Sequence, residues 1–88
     1  MVQKSIAITA EQCRAARAML GWSQRKLAEA AAVAKATIVD FERGSRRPYE
    51  RTLRDLRTVL ERAGIEFLDA DDQRGVGVCL KRLTKRKV

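Results

Sequence analysis

Apolar residues recur at three- and four-residue steps through most of this chain and at two-residue steps near its end, so helices come first and strands last. Ala10, Cys13, Ala16 and Leu20 predict a first helix whose narrow face of small side chains lets neighbours approach closely. Thr9 with Gln12 fits a capping box, in which hydroxyl and amide satisfy backbone N–H groups that the first turn leaves unpaired, and Gly21 ends the helix as a left-handed cap. Ser23 caps a second helix over Gln24–Ala31, with Leu27 and Ala28 facing inward. Ala32 and Val33 make a turn, and a third helix runs from about Lys35 to Arg43, with Ile38 and Phe41 inward, until Gly44 stops it.

Beyond Gly44 the pattern changes twice. Ser45, Arg46, Arg47 and Pro48 form a basic loop whose proline blocks helix. From Tyr49 or Glu50 to Ala63 a longer amphipathic helix carries Leu53, Leu56, Val59 and Leu60 on one face as the lid of the core, with Gly64 as its cap. Residues 65–68 and 77–81 then read as two strands of an antiparallel hairpin around a polar loop. The expected organisation is an N-terminal arm over 1–8, a helical domain over 9–63, the hairpin over 64–83 and a basic tail over 84–88. A two-stranded hairpin is marginal alone. It either covers the core of a monomer or pairs with a second copy, in which case Phe67, Val78 and Leu80 would form the dimer seam.

Composition narrows the partners. The chain has 88 residues and a net charge of +8, which attracts polyanions and is screened by salt. Nucleic acid is the first expectation, ahead of a membrane surface, because no segment approaches the roughly 20 apolar residues of a membrane span. There is no histidine, and the two cysteines, Cys13 and Cys79, lie far apart with no metal or dithiol spacing. No cofactor or metal is expected. Nothing pairs a nucleophile with a base, and Asp69, Asp71 and Asp72 lack calcium-loop spacing, so an enzyme is not expected. The first ten residues lack a signal-peptide pattern, which points to the cytoplasm.

Two helices as short as the second and third cannot bury their faces alone. That is the logic of a helix-turn-helix, in which the domain braces one helix and the next presents its outer side to a partner. Ser23-Gln24, Leu27-Ala28, Val33, Thr37-Ile38, Phe41-Glu42-Arg43-Gly44, Arg47-Pro48 and Thr52-Leu53 closely resemble the Xre-type family of phage-repressor and Cro-like DNA-binding domains, over roughly Thr9 to Ala63. The fold this implies is mainly α, a four- to five-helix repressor-like domain, here followed by a C-terminal β-hairpin outside the usual unit. The resemblance also implies a partly buried salt bridge between Arg17 and Glu42, which by sequence alone would pass for surface charges.

If the family's binding mode carries over, Lys35, Ala36, Val39 and Asp40 face base edges in the major groove. Gln24, Thr37, Arg43, Arg46 and Arg47 then contact phosphates. Lys35 is the only common base reader of the four; Ala36 and Val39 suit a thymine methyl, and Asp40 suits a cytosine amino group. Two positions depart from the family pattern: Ala34 replaces a serine or threonine cap, and Ala32 replaces a turn glycine. The expected function is a sequence-specific regulator of transcription that binds double-stranded DNA as a homodimer. The short chain leaves no room for an activation domain, so repression by operator occlusion is expected. The alternative is a helix-turn-helix used to bind protein, as an anti-activator of a transcription factor or the antitoxin of a toxin pair, with Ala32, Ala34, Ala36 and Val39 as the contact patch.

Overall fold

In the computed structural model, which describes residues 7–81, four helices lead into a two-stranded hairpin. They are α1 (Ala10–Leu20), α2 (Gln24–Ala31), α3 (Lys35–Arg43) and α4 (Glu50–Arg62), followed by β1 (Ile65–Leu68) and β2 (Gly77–Leu80). The first six residues of the expected arm, the last two of the expected hairpin and the whole basic tail lie outside the described residues.

The local signals explain the helix ends. Thr9 Oγ1 accepts from the Gln12 backbone N–H at 3.0 Å, and Gln12 Oε1 accepts from the Thr9 N–H at 2.9 Å. Gly21 (φ 71°) and Gly44 (φ 82°) close α1 and α3 in the left-handed region. Ser23 Oγ accepts from the Lys26 N–H at 3.0 Å at the start of α2. Ala34 supplies no such bond to α3, and Ala32 ends α2 at φ 56°. The turn therefore keeps a glycine geometry without the glycine, and the Ala32 Cβ makes that conformation cost about 1–2 kcal/mol.

The core collects the inward face of every element. Cys13 and Ala16 of α1, Leu27 of α2, Ile38 of α3, Leu53, Leu56 and Leu60 of α4, and Ile65 of β1 are fully buried, with Ala28, Phe41 and Phe67 nearly so. α2 packs on α3 and α4, α1 on α3 and β2, and α4 on β1. Ile8, at the end of the expected arm, belongs to the core at 1% exposure, and Ala7 packs against that core.

The hairpin is a lid on this core. The strands pair antiparallel with Ile65 opposite Leu80 and Phe67 opposite Val78, and Lys81 N–H donates to Gly64 carbonyl at 2.7 Å to extend the ladder. Alternation puts Ile65 and Phe67 beneath the sheet and Glu66 and Leu68 on its outer side. Of the three residues of the expected dimer seam, Phe67 is 4% exposed, Val78 is half-buried against the core and Leu80 is 47% exposed. The loop acid Asp71 is a turn builder: its Oδ1 accepts from the N–H groups of Gln73 and Arg74, both at 2.8 Å, which hold its carboxyl below the ordinary value.

Gln12 joins the two parts. With Oε1 committed to Thr9, its Nε2 donates to Gly77 carbonyl at 2.9 Å and Leu68 carbonyl at 3.3 Å, where β1 and β2 enter the loop. One amide thus caps α1 and ties down the hairpin, a pairing that needs a donor and an acceptor on one side chain.

Ala32→Gly relieves left-handed strain of about 1–2 kcal/mol against an added unfolded-state entropy of about 0.4–1 kcal/mol. It should therefore raise unfolding free energy in urea by about 0–1.6 kcal/mol, whereas a loss of stability would mean the turn is unstrained. Gln12→Glu keeps the cap acceptor but sets a carboxylate against two carbonyl oxygens, and should cost about 1–3 kcal/mol. Hydrogen exchange should then show faster amides in β1 and β2 than in α2 and α3.

Candidate nucleic-acid interface

α3 can present a surface only if its other side is held, and Glu42 in its last turn does the holding. The Glu42 side chain is 3% exposed and receives two bonds from Arg17 of α1, from Nη2 to Oε1 at 2.7 Å and from Nε to Oε2 at 2.8 Å. Cys13 Sγ donates to Oε2 at 3.1 Å, and Gln24 Nε2 donates to Oε1 at 3.1 Å. Arg14 Nη1 donates to the Glu42 main-chain carbonyl, and Arg17 Nη1 reaches the Trp22 carbonyl at 3.0 Å. One carboxylate therefore joins α1, α2 and α3. Burial pushes its pKa up, but the bonds from Arg17, Cys13 and Gln24 outweigh burial and hold it below the ordinary glutamate value. Burial and the Glu42 bond push the Cys13 thiol far up, so Cys13 acts as a fixed donor.

With its inner side fastened, α3 turns Lys35 and Ala36 fully outward and leaves Thr37, Val39 and Asp40 half-buried. Lys35, Val39 and Arg43 follow one another at four-residue steps along one stripe, and Val39 lies outside the core cluster. Ala36, Thr37 and Asp40 form one wall of a cleft of about 380 Å³, and Arg46, Arg47, Pro48, Tyr49 and Thr52 form the other. The cleft joins Ala36 and Asp40 of the base-facing set to Thr37, Arg46 and Arg47 of the phosphate set.

Lys35, Val39 and Arg43 flank the cleft on α3 without lining it. Gln24 Nε2 donates to Glu42, so the side chain braces the helix pair and keeps its second amide hydrogen to offer a phosphate. Tyr49 and Thr52 complete the cleft without belonging to either expected set. Tyr49 is 85% exposed, an unusual state for a large aromatic, and its place directly after Arg46, Arg47 and Pro48 was the available signal. Among the described residues no group of three His, Cys, Asp or Glu side chains could hold a metal ion, and no helix is long and apolar enough to cross a membrane.

The Glu42 cluster has a pH signature. Its folded-state pKa lies below the unfolded value near 4.5, so its stabilisation is present above that pH and is lost as pH falls through the depressed folded value. Wild-type protein should lose stability below about pH 4.5, while Glu42→Gln, weaker at pH 7, should show a flatter acid limb in calorimetric scans. Arg17→Met leaves a buried carboxylate without its cation and should cost about 3–5 kcal/mol at pH 7. A loss under 1 kcal/mol would mean that Cys13 and Gln24 suffice.

No curated protein matches the chain. The helix-turn-helix family pattern matches residues 14–66, from the first turns of α1 into β1, and leaves most of the hairpin outside. That match covers well over half of the chain, and the structure within it has the braced helix, the turn and the outward helix on which such domains rely. The chain belongs to the Xre-like helix-turn-helix family of DNA-binding regulatory domains.

Proposed function

We propose that this protein is a cytoplasmic, sequence-specific DNA-binding repressor that blocks transcription by occupying an operator. The observation that carries the reading is the cleft in which the outer face of α3 and the Arg46–Arg47 loop meet. In this reading α3 enters the major groove with Lys35, Ala36, Val39 and Asp40 towards base edges, while Arg43, Arg46, Arg47, Thr37 and the remaining amide hydrogen of Gln24 contact phosphates. The missing cap at Ala34 leaves the first N–H groups of α3 open, which suits an approaching phosphate. A homodimer is the binding unit, because two copies can engage half-sites one helical turn, about 34 Å, apart.

The second reading, an anti-activator or antitoxin that applies the same helix to a protein, draws on the exposed methyl groups of Ala32, Ala34 and Ala36 beside Val39. A titration at physiological salt separates the two. The duplex upstream of this protein's own gene should bind about a thousandfold more tightly than a scrambled duplex of equal length. Equal, weak binding to both would move the function to a protein partner. Loss of Arg46 and Arg47 together should make the log–log salt slope shallower by about 2, at roughly 0.9 per phosphate contact. An unchanged slope would remove the loop from the interface.

A further inference from the structure

Asp40 is an acid in a cleft that otherwise attracts anions. Arg46 and Arg47 line the opposite wall, yet the ion pairs among the described residues are Arg17–Glu42 and Arg57–Glu61, and neither loop arginine comes within that range of Asp40. The Asp40 main-chain carbonyl accepts from Ser45 N–H at 2.9 Å, but its carboxylate has no partner among the described residues. The side chain is half-buried on the outward side of α3, one turn after Ala36.

An ionised carboxylate only accepts hydrogen bonds, so its partner in a complex must bring donors. A phosphate is excluded by like charge. On base edges in the major groove the donors are the amino groups of cytosine and adenine. Adenine sets its amino group beside N7, whose lone pair opposes a carboxylate, whereas cytosine sets its own beside a C–H. Ala36 is too short to compete for the same base, and arginines drawn to phosphates would offset the repulsion between Asp40 and the DNA backbone. We infer that Asp40 selects cytosine at one position of each half-site by accepting a hydrogen bond from the exocyclic amino group. The inference rests on the operator reading above and adds a base identity to it.

The test is selection of binding duplexes from a random pool by the full chain, its Asp40→Ala variant and its Asp40→Asn variant. Wild type should select cytosine at one half-site position, and replacing that cytosine by thymine should weaken it about 10- to 100-fold. Asp40→Ala should lose the preference at that position alone. Asp40→Asn should move it to adenine, whose N6 and N7 an amide can bond together. The same preferred sequence from all three proteins would overturn the inference and leave the operator reading standing. Tighter binding of Asp40→Ala to every duplex alike would also overturn it, making Asp40 a repelling charge. Failure of wild type to select any sequence would overturn both, and is visible before any variant is compared. Because the carboxylate has no partner to lose among the described residues, the variants should fold, as matching thermal melts would show.

Discussion

The buried carboxylate of Glu42 is the constraint on which the arrangement of this domain depends. A charge with 3% side-chain exposure is tolerated only when its desolvation is offset, and here the offset comes from two bonds to Arg17, a thiol and an amide. Those donors reside on α1 and α2, so satisfying one carboxylate fixes three helices relative to one another. Apolar contact alone would leave α3 freer to rotate or slide, because burial has no direction. The bidentate geometry of arginine supplies direction, and the outward face of α3 is defined by what its inward side must reach.

The hairpin adds a second constraint of the same kind. Phe67 and Ile65 supply burial, and the Arg57 guanidinium lies 5.2 Å from the Phe67 ring centroid, but the strands are located by the Gln12 amide. In both places a polar side chain from α1 sets the position of an element far away in sequence. α1 is therefore the frame of the domain, although the apolar residues it buries fully, Cys13 and Ala16, are small.

The two departures from the family pattern have different consequences. Ala32 holds the left-handed turn through backbone bonds to Ala28 and Glu29, so the geometry survives at the expense of some stability. Ala34 removes a cap without a replacement, which leaves the first turn of α3 open on the side that carries Lys35 and Ala36. That capping bond is lost, and Ala34 and Ala36 present exposed methyl groups at the same end of the helix. Asp40 adds a carboxylate without a partner among the described residues, in a cleft lined by two arginines.

Much of this was legible in the chain itself. Helical spacing, the Thr9–Gln12 box, Ser23 and the glycines at 21 and 44 are local signals acting within a few residues, and each element stands where they place it. The loop arginines and the outward residues of α3 could be named because a helix of known start has a known face. What only the tertiary structure decided were the contacts between distant residues. It gave Phe67 to the chain's own core, brought Ile8 in from the arm, turned Gln24 towards Glu42, used Gln12 twice and added Tyr49 and Thr52 to the cleft. The physical reason is that capping and periodicity act along the chain, whereas the destination of a side chain depends on which donors and apolar faces folding brings beside it.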